Sequence, residues 1–224
     1  MALDFKQPKK GNNMQLAKTV QAGERINLAK EQAGINKFAV GLEWNEKNGI
    51  TADCDVSIVL LDKDGAIVPG SNGSNQPKCL CYYGQQSLPG VNSYGDNKTG
   101  NDDEVQTPTG NDEQIDVDFM SLDANVAQVL IVATTHSENA GQPGEPLPFG
   151  RVAVPVLTIF NNAGAQPQPL YKFELDEEHS MATAVEIAKF YLKDGQWRYV
   201  SMADEVGREA FGLQGIITKY GIVS

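Results

Sequence analysis

Short runs of β-branched and apolar residues recur along the chain and predict strands. They cover residues 38–44, 56–61, 127–134, 152–160, 170–175 and 197–200. Ile115, Val117 and Phe119 alternate with aspartates, which is the period of a strand with one face in water. Strands this frequent, with few helices between them, predict a mainly β fold, a two-sheet antiparallel β-sandwich, rather than a doubly wound sheet.

Two segments near the C-terminus have the spacing of short helices. Ser180 could cap a helix over residues 181–192, with Val185, Ala188 and Leu192 on one face. A second helix is predicted over residues 204–219, ending at Gly221. Its interior glycines each cost about 1 kcal/mol relative to alanine, which indicates close packing.

Polar stretches separate these elements. The sequence Asp-Lys-Asp-Gly at residues 62–65 predicts a tight turn, because Asp and Gly tolerate positive φ. Residues 69–78, 83–110 and 138–148 are typical of loops. With 224 residues and no internal repeat, we expect a short N-terminal extension, residues 1–18, and a single domain, residues 19–224.

The charge balance restricts the partners. A formal net charge of −11 opposes binding to nucleic acid and to anionic membranes. The chain contains no apolar stretch near the roughly 18 residues of a membrane span, and residues 1–18 lack the apolar run of a signal peptide. We therefore expect a cytoplasmic protein with cations as partners.

The cysteines do not predict a disulfide framework. Cys54, Cys79 and Cys81 are odd in number, and only two histidines could complete a zinc site. Cys54 lies between two aspartates, whose charge disfavours the thiolate. We expect reduced, structurally incidental thiols.

Residues 94–118 form the most acidic stretch of the chain. Its eight carboxylates face one lysine, Lys98. They are Asp96, Asp102, Asp103, Glu104, Asp112, Glu113, Asp116 and Asp118. Calcium would relieve their repulsion, because it takes six to eight oxygen ligands. Gly95, Gly100 and Gly110 permit the turns that aim carbonyl oxygens inward. The alternative is a solvated acidic loop without metal; magnesium fits less well, and the spacing excludes an EF-hand.

Several short motifs resemble those of the TerD family of tellurium-resistance and stress proteins. The calcium loop of that family is similar to Gly-Asp-Asn-Lys-Thr-Gly at 95–100 and Gly-Asn-Asp-Glu-Gln-Ile at 110–115. Its other signatures are similar to Gly-Leu-Glu-Trp-Asn at 41–45, Asp-Cys-Asp-Val-Ser at 53–57 and Ala-Gly-Glu-Arg-Ile-Asn-Leu at 22–28. The resemblance covers residues 15–223, nearly the whole chain.

The resemblance implies a calcium-binding β-sandwich in a bacterial or phage stress response, with proteins of a stress-response complex as partners. The lack of enzyme motifs, described below, favours a protein without enzymatic activity. The resemblance also implies a set of oxygen ligands for Ca²⁺. Carried over by position, these are Asp55, Asp96, Asn97, Asp112 and Glu113, with Asp53, Thr99 and Gly110 as further metal-site residues. Independently, Asp53 and Asp55 are two apart and would share one face of a strand.

The chain also departs from the family pattern. Residues 101–109 are inserted, and Asn111, Asn45 and Ala182 replace acidic residues. Fewer charges weaken a second calcium site, unless the insertion supplies ligands.

Two rival functions stay open. His136 could act as the general base of a hydrolase, with Glu138 or Glu178 as partner, and Asp116 and Asp118 could suggest a glycosidase pair. The chain lacks a nucleophile elbow, a phosphate-binding loop and a dinucleotide motif. The other rival is a structural or carbohydrate-binding sandwich, phage-associated, with aromatic residues that stack on sugars. They would be Trp44, Trp197, Tyr82, Tyr83 and Tyr94.

Overall fold

Strands make up most of the regular structure in the computed structural model. It describes residues 17–19, 24–26, 35–49, 51–68, 78–100, 105–136, 138–139, 142–143, 146–175, 179–206 and 212–222. The strands are β1 (Lys18–Thr19), β2 (Arg25–Ile26), β3 (Lys37–Asn45), β4 (Cys54–Leu61), β5 (Leu80–Cys81), β6 (Ser87–Leu88), β7 (Val91–Ser93), β8 (Glu113–Asp118), β9 (Gln128–Thr135), β10 (Glu138–Asn139), β11 (Gln142–Pro143), β12 (Ala153–Asn161), β13 (Gln168–Glu174), β14 (Ala184–Lys193) and β15 (Gln196–Glu205). A 3₁₀ helix, Phe149–Arg151, and one α-helix, α1 (Gly212–Tyr220), complete the described elements.

These strands form two large sheets. One has the order β1-β13-β12-β3-β8-β7-β6, the other β2-β15-β14-β9-β4-β5, and β10 and β11 pair separately. The β1–β13 pair is parallel and the other described pairs are antiparallel. The predicted mainly β, two-sheet sandwich is confirmed, and each predicted strand run overlaps an observed strand.

The core lies between the sheets, and a second apolar layer covers the outer face of β4. Phe38, Leu42 and Trp44 of β3 belong to the same buried cluster as Val56 and Ile58 of β4. The alternate β4 residues, such as Val59 and Leu61, pack instead with Leu213 and Ile216 of α1. Because β4 is covered on both sides, all eight of its residues are buried.

The helix predicted over residues 181–192 is wrong, because this segment contains β14. A register shift between Glu186 and Ala188 occurs in its pairing with both β9 and β15. The extra residue of a bulge lets neighbours on both sides of the shift turn toward the core. Val185, Ile187 and Ala188 all belong to the inter-sheet cluster, and this spacing imitates a helical stripe.

The second predicted helix begins later than expected. Asp204 lies in β15, α1 begins at Gly212, and residues 207–211 lie outside the described part. The helix ends before Gly221, whose φ of 61° is left-handed, as predicted. A Cβ on Gly212 would lie 2.5 Å from the Thr135 carbonyl oxygen, which confirms close packing at this glycine.

The predicted loops are partly confirmed. The turn at 62–65 is closed by Asp62 N–H donating to the Ala66 carbonyl at 2.8 Å. Short strands interrupt two predicted loops: β6 and β7 lie within 83–110, and β10 and β11 within 138–148. Residues 69–77 and 1–16 lie outside the described residues. Among the described residues, no helix has the length and apolar character needed to cross a bilayer.

Candidate metal centre

Three carboxylates converge where β4 begins. Asp53 immediately precedes this strand, Asp55 lies within it, and Asp96 lies in the loop after β7. One oxygen of each carboxylate lies within 4.8 Å of those of the other two. Asp53 and Asp55 are 4% and 2% exposed, so water screens their repulsion weakly.

Burial raises the pKa of Asp55 well above its usual range, and the charges of Asp53 and Asp96 raise it further, while Lys98 lowers it. The buried Asp55 Oδ2 accepts no hydrogen bond from any described residue. Such an oxygen is costly unless a cation or water contacts it. The donor set, carboxylate oxygens from the start of a strand and from a loop, is the kind that Ca²⁺ accepts.

Asn97 shapes the loop that carries Asp96. Its buried Oδ1 accepts the N–H groups of Thr99, at 3.1 Å, and Gly100, at 2.9 Å. Gly100 has a φ of 67°, and a Cβ there would lie 2.9 Å from Trp44 Nε1 and from the Trp44 carbonyl oxygen. Only glycine fits this position. The contact joins the sequence motif at 95–100 to the motif at 41–45.

Asp112 and Glu113, also predicted as ligands, hold backbone groups of neighbouring segments. Asp112 Oδ2 accepts the Trp44 N–H at 2.9 Å. Glu113 Oε2 accepts the Val56 N–H at 2.8 Å, and its Oε1 accepts the Asn97 N–H at 3.4 Å. Burial, followed by the charge of Asp55, raises the pKa of Glu113, while the two N–H groups oppose the rise.

Thr99 and Gly110 occupy turns next to these carboxylates. Gly110 has a φ of 77° and donates its N–H to the Thr107 carbonyl at 3.1 Å. The following residue, Asn111, packs closely on Gly41. A Cβ added at Gly41 would lie 2.4 Å from Asn111 Oδ1. Asp102, Asp103 and Glu104 of the inserted segment lie outside the described residues.

A cleft of about 290 Å³ opens beside the three carboxylates. Its lining residues are Asp53, Tyr83, Asp96, Lys98 and His136. His136 Nδ1 lies 3.7 Å from Asp53 Oδ2, and its Nε2 lies 3.4 Å from the Tyr83 hydroxyl. The partners considered from sequence, the Glu138 side chain and Glu178, are outside the described part. Nothing in the sequence marked Asp53 or Tyr83 as neighbours of this histidine.

Asp116 and Asp118 are not part of this centre. Tyr94 donates its hydroxyl to Asp116 Oδ2 at 3.0 Å, and Lys37 Nζ lies 3.1 Å from Asp118 Oδ2. These contacts are those of a strand face in water, as the alternation predicted.

The cysteine thiols are buried and none is in a disulfide. Burial raises the pKa of the Cys54 thiol, and Asp55 and Asp53 raise it further, as predicted from its position between them. Burial also raises the pKa of Cys79, and that of Cys81 to about 12. Cys54 belongs to the inter-sheet core, so it points away from the carboxylates on either side of it.

Comparison with known proteins agrees with the motifs. General stress protein 16U of Bacillus subtilis is 28% identical over 207 residues, which cover 89% of this chain and 95% of that protein. Tellurium resistance protein TerD of Serratia marcescens is 25% identical, over 91% of this chain and 97% of that protein. A solved homologue of telluride resistance protein (TerD) from Streptomyces coelicolor A3(2) shares the fold, with a TM-score of 0.57 and 18% identity over 78% of this chain and 92% of its own.

The match is continuous along the chain. The TerD domain family model matches residues 14–220. This range includes both sheets, the helix α1 and all the carboxylates of the centre. The chain therefore belongs to the TerD domain family of stress-response and tellurium-resistance proteins.

Proposed function

We propose that this chain is a calcium-binding, non-enzymatic stress-response protein, in which Asp53, Asp55 and Asp96 hold the ion and calcium orders the acidic loop. The convergence of three carboxylates within 4.8 Å, two of them buried, is the observation that carries the proposal. Charges this close in a poorly hydrated site favour a divalent cation.

The remaining predicted ligands take a supporting part in this proposal. Asp112 and Glu113 brace β3, β4 and the loop through backbone N–H groups, because their oxygens already accept hydrogen bonds. Asn97 fixes the turn of the loop. Carbonyl oxygens of the turns at Thr99 and Gly110, together with water, complete the six to eight ligands that calcium takes.

Calcium in this proposal stabilises a sandwich that folds without it. The extensive core between the sheets supports that view. At free calcium of about a thousand times the dissociation constant, binding adds roughly 4 kcal/mol to the free energy of unfolding. For a domain of this size the melting temperature then rises by about 8–16 °C.

The non-enzymatic part of the proposal rests on the cleft itself. None of the described lining residues is a serine, threonine or cysteine that His136 could activate as a nucleophile. Asp53, the carboxylate nearest to His136 Nδ1, also belongs to the carboxylate cluster.

Calorimetric titration of the calcium-depleted protein tests the proposal. We expect calcium to bind and magnesium to bind much more weakly. Asp96→Asn should lose most of the affinity, whereas Asp64→Asn, the matched control in an exposed turn, should keep it. Equal losses in the two variants would refute the assignment, and identical melts with calcium and with chelator would remove the calcium function.

A further inference from the structure

Two buried hydroxyls lie beside Asp55 on the sheet. Thr134 of β9 is the register partner of Asp55, and Ser57 is two residues further along β4. Directly opposed residues of an antiparallel pair, and residues two apart on one strand, point to the same face. The three side chains therefore share the outer face of the β4–β9 pair.

These side chains have the same unusual property. Ser57 and Thr134 are 0% exposed and Asp55 is 2% exposed. Ser57 Oγ, Thr134 Oγ1 and Asp55 Oδ2 make no hydrogen bond to any described residue. An unpaired buried polar oxygen costs free energy, so three neighbouring ones require a common explanation.

One neighbour of the three oxygens is a small residue. Thr134 is paired on its other side with Ala184 of β14, which has a short side chain. Side chains directly opposed across strands are about 4.5–5.5 Å apart at Cβ, a span that one water can bridge. Buried waters typically make about three hydrogen bonds, which matches the number of oxygens here.

We infer that Ser57 and Thr134 are positioning residues for Asp55, acting through one buried water held by the three oxygens. The water donates to Asp55 Oδ2 and accepts a hydroxyl hydrogen from each of Ser57 and Thr134. This arrangement fixes the carboxylate in the orientation that the cation needs, so the inference rests on the proposed function. Residues that orient metal ligands typically change metal affinity by about 10–100-fold when removed.

Thr134→Val and Ser57→Ala test the inference by calcium titration and by thermal melts of the calcium-depleted protein. Thr134→Val keeps the branched shape, and we expect about 10-fold weaker calcium binding together with a lower melting temperature. Thr134→Ser should restore most of the affinity. Ser201→Ala is the matched control, since this buried serine of β15 is separated from β4 by β14 and β9.

A double-mutant cycle separates positioning from packing. In an Asp55→Ala background, Thr134→Val should no longer lower the melting temperature, because the acceptor is gone. If the hydroxyl is simply unpaired, Thr134→Val will instead raise the melting temperature and leave affinity unchanged, which overturns the inference. If the wild type binds two calcium ions and Thr134→Val binds only one, an ion rather than a water occupies this position. That result would also overturn the inference.

The proposed function and this inference can fail separately. A wild-type protein that binds no calcium refutes the calcium proposal. The melts and the cycle in calcium-depleted buffer still decide whether the hydroxyls hold Asp55.

Discussion

Two groups of acidic residues beside β3 and β4 differ in what contacts their carboxylate oxygens. Asp112 and Glu113 accept N–H groups of Trp44, Val56 and Asn97. Asp55, with Asp53 and Asp96 close by, has an oxygen, Oδ2, that accepts no hydrogen bond from any described residue. The first group joins β3, β4 and the loop after β7, whereas the second repels itself.

This difference shows that acidic residues of neighbouring motifs can have different surroundings. All of these residues are acidic and lie within or next to family motifs, yet Asp112 and Glu113 accept backbone N–H groups whereas Asp55 Oδ2 accepts no hydrogen bond from any described residue. A carboxylate that already accepts hydrogen bonds stabilises the chain without an ion, and one with a buried oxygen that accepts none is stabilised by a cation or a water. Substitutions in the two groups should therefore change the stability of the calcium-depleted protein in opposite directions.

The largest effect is expected for Glu113→Ala. This change leaves the buried N–H groups of Val56 and Asn97 without their acceptor. Each unsatisfied donor costs about 1–3 kcal/mol, so we expect a loss of roughly 3 kcal/mol. The melting temperature should fall by about 6–12 °C without calcium.

Glu43→Ala, an exposed glutamate on β3, is the control for Glu113→Ala and should change the melting temperature little. A loss as small as that of the control would show that the Glu113 hydrogen bonds do not brace the fold.

Asp55→Asn should have the opposite sign in calcium-free buffer. Burial and the charges of Asp53 and Asp96 raise the pKa of Asp55 in the folded state. The unfolded chain therefore ionises first, and stability falls as pH rises above about 4, the ordinary pKa of aspartate. Asp55→Asn removes part of this loss, so the variant should melt above wild type at neutral pH and close to it near pH 4.

Calcium should reverse that order, because only wild type gains stability from the ion. Melts across pH, with and without calcium, test both statements. A wild-type stability that rises with pH in calcium-free buffer, parallel to that of Asp55→Asn, would contradict them. Burial also raises the pKa of Glu113. The stability of Asp55→Asn should therefore still fall as pH rises, with a smaller slope than that of wild type.

The sandwich could be predicted from the sequence because most core strands keep the residue pattern of a β-strand along their whole length. Alternation in β8 separates buried Ile115 and Val117 from partly exposed aspartates. The prediction failed for β14, since a bulge at Glu186–Ala188 breaks the alternation on which it depends. A register shift is set by pairing with neighbouring strands, which a single sequence does not reveal.

The candidate site was predicted in part for a similar reason. The spacing of Asp53 and Asp55 predicted a shared face, and the family motif supplied Asp96. Their closeness to Tyr83 and His136 depends on how β9 and the segment after β5 approach the strand. The hydrogen bonds that occupy Asp112 and Glu113 also come from distant segments, 68 and 57 residues away in sequence. Contacts of this range are tertiary and leave no local pattern.

A smaller effect is expected for Cys54→Ala. The thiol lies in the inter-sheet core between two residues of the carboxylate cluster, but on the opposite face of β4. We expect about 1 kcal/mol lower stability and calcium affinity within a few-fold of wild type. Titration and melts measure both quantities, and loss of binding in a folded variant would show that the thiol contributes to the site.

The smallest effect, and the one most sensitive to salt, is expected at Lys98. Its Nζ lies 4.0 Å from Asp96 Oδ2, and the side chain is 57% exposed. The ammonium competes with a cation for the carboxylate, and exposed pairs of this kind contribute about 0.2–1 kcal/mol. Lys98→Gln should therefore tighten calcium binding by up to about 5-fold at low ionic strength and hardly at high ionic strength. Lys63→Gln, which removes the lysine of the exposed Lys63–Asp64 pair, should leave affinity unchanged. Weaker binding in Lys98→Gln would mean that this lysine positions Asp96 rather than competing for it.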